Sequence, residues 1–177
     1  MGTGLLNNHW TFDARLSNIG TDGYIDRASV DLNSYYLQGG YFAENTSVKL
    51  IAFAGKEKTY HAWGYATKKE MEDFGRRYNP CGEMYTDANG NKHFYDDQTD
   101  NYLQKNYQLL FNHTFSTAWN LNVALHYTKG DGYYEEYKDG RYLIEYGLKS
   151  FTIDGTEVSK SDLVRQKKMD NKFGGGV

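Results

Sequence analysis

The sequence predicts an all-β chain: an antiparallel meander forming part of a transmembrane β-barrel, with long extracellular loops that contain hairpins and one short helix. Three observations predict it. The composition of the 177 residues, with 17 Tyr, 9 Phe, 3 Trp and 19 Gly against one Pro, is a strand-and-turn vocabulary. Segments of about ten residues alternate between apolar and polar side chains, the signature of a half-buried strand. Short and long connections alternate along the chain, which in outer-membrane barrels reflects short turns on one side and long loops on the other.

The first strand is expected at about 9–18, where Trp10, Phe12, Ala14 and Leu16 oppose Thr11, Asp13, Arg15 and Ser17. The second, at about 33–43, carries Tyr35, Leu37, Gly39 and Tyr41 on one face. The third, at about 47–57, places Val48, Leu50, Ala52 and Ala54 together, although its other face holds Ile51 and Phe53 beside Lys49. The fourth is expected at about 102–115, with Tyr107, Leu109, Phe111, His113 and Phe115 on one side. The fifth, at about 119–129, alternates most cleanly: Trp119, Leu121, Val123, Leu125 and Tyr127 against Asn120, Asn122, Ala124 and His126. A sixth strand is expected to begin near 170–177. Strands of this length, at ~3.3 Å per residue and tilted by ~40°, rise roughly 25 Å, the height of the apolar band on such barrels.

Residues around "ENT" and "STA" are short enough for tight hairpin turns. The long loops are expected at about 19–32, 58–101 and 130–169. Within them, Thr67 and Glu70 form a capping box that predicts a helix of two or three turns before Tyr78. Asn89-Gly90, Asp139-Gly140 and Asp154-Gly155 each predict a hairpin.

Composition excludes several classes. The mean hydropathy is −0.79, and no run approaches the ~18 apolar residues of a membrane helix. With 20 basic and 23 acidic side chains and a net charge of −3, no broad cationic field is available for nucleic acid. Cys81 is alone, so no internal disulfide forms. The start "MGTGLLNNHW" lacks a secretory signal, and the chain is expected to be an internal piece of something longer.

No cofactor, metal site or enzymatic activity is expected. In "DANGNKHFYDDQ", Asp87, Asn89 and Asn91 alternate as in a calcium loop, but Lys92 stands where Gly is needed and Gln98 where a bidentate Glu is needed. His9, His61, His93, His113 and His126 show no ligand spacing, although His61, Cys81 and His93 share a loop, and the loop histidines read as solvated. "SKSDLVRQKK" reads as a solvated charged run rather than a nucleophile with its base.

Strand parity then assigns two faces. Trp10, Leu109, Phe111, Trp119, Leu121, Val123, Leu125 and Tyr127 are expected to face lipid. Asp13, Arg15, Gln38, Asn112, Asn122 and His126 are expected to face the lumen, where Ser17 joins them.

The runs "FDARLSNIGTDGYIDRAS", "YYLQGGYF", "NPCGE", "TDNYLQKNYQLLFNHTF", "WNLNVALHYTKGDGYYEEYK" and "SKSDLVRQKKMDNKFGGGV" resemble the barrel domain of TonB-dependent outer-membrane receptors. The resemblance spans nearly the whole chain. It implies a Gram-negative outer-membrane transporter that imports a scarce nutrient of the siderophore, cobalamin or glycan class, driven through contact with the TonB complex. Such barrels have about 22 strands and a plugged lumen; the plug domain, the TonB-contacting segment and most of the circumference are expected outside these residues. Tyr24, Asp26, Arg27, Tyr133 and Tyr134, in "GYIDR" and "GYYEEY", are the candidate ligand-capturing residues, because Tyr combines a broad face with a hydrogen-bonding group. The alternative is a soluble secreted β-sandwich that binds carbohydrate, in which Leu121, Val123 and Leu125 pack against a second sheet.

Overall fold

A computed structural model describes residues 1–177. Six long strands form one antiparallel sheet: β1 (Trp10–Thr21), β2 (Val30–Ala43), β3 (Thr46–Tyr60), β6 (Thr99–Ser116), β7 (Trp119–Tyr142) and β10 (Lys160–Gly176). They pair in that order, each with its neighbour in the series, and β1 does not pair with β10, so the sheet is open. Two small hairpins stand apart from it: β4 (Glu83–Thr86) with β5 (Lys92–Phe94), and β8 (Phe151–Ile153) with β9 (Thr156–Val158).

Register turns the alternation of single strands into two continuous faces. Trp10 lies opposite Tyr41, Tyr41 opposite Val48, Val48 opposite Phe111 and Phe111 opposite Val123. The next row runs Phe12, Gly39, Leu50, Leu109, Leu125, and the one after Ala14, Leu37, Ala52, Tyr107, Tyr127. Directly opposed residues share a face, so the apolar positions of five strands form one surface. No second sheet lies on it: Leu16 is 83% exposed, Trp119 74% and Leu50 60%. The sandwich alternative needs a covering layer of strands, and this chain supplies none. On the opposite face Asp13, Gln38 and Asn112 are half-buried and Arg15, Asn122 and His126 exposed, so the sheet is open on both sides. A continuous apolar surface left uncovered is not what a sheet facing water presents.

Connections sort by end. Residues 44–45 and 117–118 turn the chain at one end, and residues 22–29, 61–98 and 143–159 join strands at the other. Helix α1 (Lys68–Phe74) begins at the capping box: Glu70 N–H donates to Thr67 Oγ1 at 3.2 Å and Thr67 N–H to Glu70 Oε2 at 2.7 Å. The Asn89-Gly90 and Asp154-Gly155 turns close β4–β5 and β8–β9.

Several expected boundaries are corrected, all in one direction. The strands run on beyond the alternating segments: β2 starts at Val30, β3 ends at Tyr60, β6 starts at Thr99, β7 continues to Tyr142 and β10 already starts at Lys160. The loops shrink accordingly. Asp139-Gly140 makes no hairpin. Lys138 opposes Leu163 and Arg141 opposes Ser161, leaving Asp139 and Gly140 against Asp162 alone. This is a β-bulge, with Gly140 at φ +54° and its N–H donating to Asp162 Oδ1 at 2.8 Å. The extension is not legible because both faces there are polar, so no period-2 pattern marks it, yet backbone pairing needs no apolar face and continues. Charge helps it: basic Arg165 opposes Glu136, and Gln166 donates to Glu135.

Candidate functional site

The best-packed part of the molecule is the excursion 61–98, where it folds over the ends of β2 and β3. Asn79, 1% exposed, ties three segments together: its Nδ2 donates to the carbonyls of Asp26 (3.1 Å) and His61 (2.9 Å), and its Oδ1 accepts from Cys81 N–H (3.0 Å). The Tyr60 hydroxyl donates to the carbonyl of Tyr95 at 2.8 Å. Gly82, at φ +79°, leaves room for that hydroxyl, which a Cβ would meet at 2.3 Å. The Cys81 thiol accepts from Gly64 N–H at 3.2 Å, so it is spent within the excursion.

Against this platform stands an aromatic and charged cluster on the polar face. His61, just beyond β3, packs its ring 4.0 Å from that of Trp63, and both lie about one ring-width from Tyr134, at 6.0 and 6.1 Å. Tyr134 of β7 pairs across the sheet with Asp100 on one side and Lys167 on the other, so these three share a face. His61 Nε2 lies 3.4 Å from Asp100 Oδ2, and neither ring nitrogen makes a hydrogen bond within the chain. Burial pushes the imidazole below its ordinary range, opposed by the carboxylates of Asp100 and Glu136. Glu136 is held by Arg165 and by Lys138, 3.2 Å away. Trp63 remains 53% exposed above the buried histidine. The arrangement offers stacking faces, fixed carboxylates and cations, suited to holding a flat polar ligand.

The predicted capture residues are not brought together. Tyr134 joins the cluster, while Tyr133, one residue before it, points to the opposite face. Both lie in β7 rather than in a loop, which corrects the reading of "GYYEEY". Asp26 and Arg27 are structural. Asp26 N–H donates to the Arg77 carbonyl at 2.8 Å and its carboxylate lies 3.2 Å from Arg77 Nε; Arg27 donates to the Asn79 carbonyl and lays its guanidinium 3.4 Å from the Phe94 ring centroid. Tyr24 is exposed, with the Arg77 guanidinium 5.8 Å from its ring. Contrary to the solvated position its loop spacing suggests, His61 is 3% exposed. Its burial depends on the fold of residues some twenty and forty positions away, and no local signal marks it. His93 stacks on Tyr85 at 4.5 Å and Asp87 accepts from Asn89 and Asn91 N–H, so neither converges with His61.

A separate concavity lies elsewhere. A shallow trough of about 1040 Å³ crosses the apolar face between the Phe12–Leu50–Leu125 and Leu37–Tyr107–Tyr127 rows. It is open and nearly devoid of polar groups, so size alone does not make it the ligand site. The apolar set Trp10, Leu109, Phe111, Trp119, Leu121, Val123, Leu125 and Tyr127 projects from this face, and Asp13, Arg15, Gln38, Asn112, Asn122 and His126 from the other. On the polar face, Gln38 donates to Asp13 at 3.3 Å, Tyr36 to Gln38 at 2.7 Å and Thr128 to Asn106 at 2.9 Å. No protein family, curated protein or solved structure matches this chain.

Proposed function

We propose that this chain is a wall segment of an outer-membrane barrel of the TonB-dependent receptor type, importing a scarce nutrient of the siderophore, cobalamin or glycan class. One observation carries the reading: an uncovered apolar face continuous over five strands, backed by a polar face, with every packed excursion at the same end. A lipid-facing wall needs that combination, and a soluble sheet exposing so much apolar surface associates instead. The motif resemblance supplies the family. From Phe115 to Tyr107 the apolar band covers eight intervals, roughly 27 Å along the strand at ~3.4 Å per residue. Aromatics bracket it: Trp10 and Tyr41, with ring centroids 4.8 Å apart, at the turn end, and Tyr107 and Tyr127, at 6.3 Å, towards the other.

In this reading the excursions face outwards, the His61–Trp63–Tyr134 cluster holds the arriving ligand at the mouth of the polar face, and energised import follows in the whole receptor. The three tryptophans test the membrane assignment. Bound to vesicles with brominated acyl chains, single-tryptophan variants retaining Trp10 or Trp119 are expected to lose most of their fluorescence, and one retaining Trp63 very little. Equal quenching of all three, or none at Trp10 and Trp119, overturns it.

A further inference from the structure

Towards the excursion end, the apolar face gives way to lysines on one sector. Lys105 of β6 lies directly opposite Lys129 of β7, which lies directly opposite Lys172 of β10. Three cations thus stand side by side on adjacent strands, on the same face as the Tyr107–Tyr127 pair and one row beyond it. Directly opposed side chains sit about 5 Å apart at Cβ, and like charges so placed destabilise a sheet. The row is only partly neutralised: Lys129 pairs with Asp131 at 3.2 Å, and Lys105 and Lys172 form no ion pair. Asp131 and Asp170 oppose one another in the next row, and Lys168 lies beyond them, so this sector sets four lysines against two aspartates.

We propose that the Lys105–Lys129–Lys172 row docks the phosphate groups of anionic lipid headgroups at the rim of the membrane-facing surface. The inference rests on the apolar face meeting lipid, as proposed above. Continuity selects the occupant. The lysines stand on the same face one row beyond the Tyr107–Tyr127 pair, at the edge of the apolar rows, the placement from which long cationic side chains snorkel to an interface. A row of cations at that level meets headgroup phosphates, and each lysine near an anionic surface strengthens binding by roughly fivefold. A soluble anion would have no use for the apolar rows below.

The test compares partition of the full chain into phosphatidylcholine vesicles and into vesicles containing added phosphatidylglycerol. Tighter, salt-sensitive binding to the anionic vesicles is expected, and K105Q/K129Q/K172Q is expected to lose more than tenfold of that gain while binding neutral vesicles unchanged. The K105R/K129R/K172R variant keeps the charges and retains the gain. Equal partition of the unsubstituted chain into both vesicles, a Gln variant that keeps the preference, or an Arg variant that loses it overturns the proposal. Inorganic phosphate at matched ionic strength leaves binding unaltered; specific displacement by it would make this a soluble-anion site and overturn the lipid assignment. Failure of the underlying reading looks different: Trp10 and Trp119 go unquenched by brominated chains in either vesicle.

Discussion

His61 shows how a single residue sets the character of the site. It lies beyond the end of β3, outside the apolar band, stacked under Trp63 and enclosed by the excursion that Asn79 fastens. Burial lowers its proton affinity below that of the unfolded chain, the Asp100 and Glu136 carboxylates notwithstanding. The unfolded state therefore binds the proton more tightly. Stability of the excursion is full above the ordinary histidine value of about 6.5 and falls as pH drops through it towards the lowered folded value. Hydrogen-exchange protection factors at the His61 and Cys81 amides are expected to decline below that pH, and His61→Gln to flatten the decline. Protection unchanged on acidification would contradict this account.

Among the elements, the bulge in β7 and the plain strand of β3 make a contrasting pair. Gly140 adopts a left-handed conformation where the ladder slips by one residue. An L side chain there costs about 1–2 kcal/mol, so Gly140→Ala is expected to destabilise by that amount. Gly55 sits in an extended strand with nothing within 4 Å of an added Cβ. Gly55→Ala is expected to stabilise by about 0.4–1 kcal/mol, because it mainly restricts the unfolded chain. Denaturant midpoints in a common detergent check both signs. The same contrast explains what the sequence made legible. Helix α1 and the Asn89-Gly90 and Asp154-Gly155 hairpins could be read because capping and turn chemistry are local. Asp139-Gly140 carries an equally strong turn signal and was overridden by pairing of Lys160–Gly176 across it. Gly130 and Gly132 carry a comparable long-range message: a Cβ at either would strike the Tyr102 side chain on the neighbouring strand, at 1.9 and 2.4 Å.

For the whole molecule, the five alternating segments were readable as strands, and their registers fuse into the expected two faces because a period of two leaves no freedom once neighbours are paired. The candidate site was scarcely readable. Tyr134 carried a compositional hint, whereas His61, Trp63 and Asp100 meet only through the folding of 61–98, and Asp26 and Arg27 turned out to serve that folding. The unsheltered apolar surface has a direct consequence in solution. In buffer without detergent the chain is expected to elute from size exclusion as associated species, and in a non-ionic detergent as a single chain within a micelle. A monodisperse monomer in plain buffer would show that the surface is covered after all.

The unequal ends of the sheet bear on how the proposed membrane orientation could be reached. Only Glu44, Asn45, Thr117 and Ala118 connect strands at one end, whereas the other carries α1, both small hairpins and the buried Asn79 junction. Dragging those folded polar bodies through hydrocarbon would expose many hydrogen-bonding groups to a medium that cannot satisfy them, while two tight turns present few. In the proposed orientation it is the excursion end that must cross, so its polar bodies need a route that keeps them out of hydrocarbon, whereas the two turns never leave the side they start from.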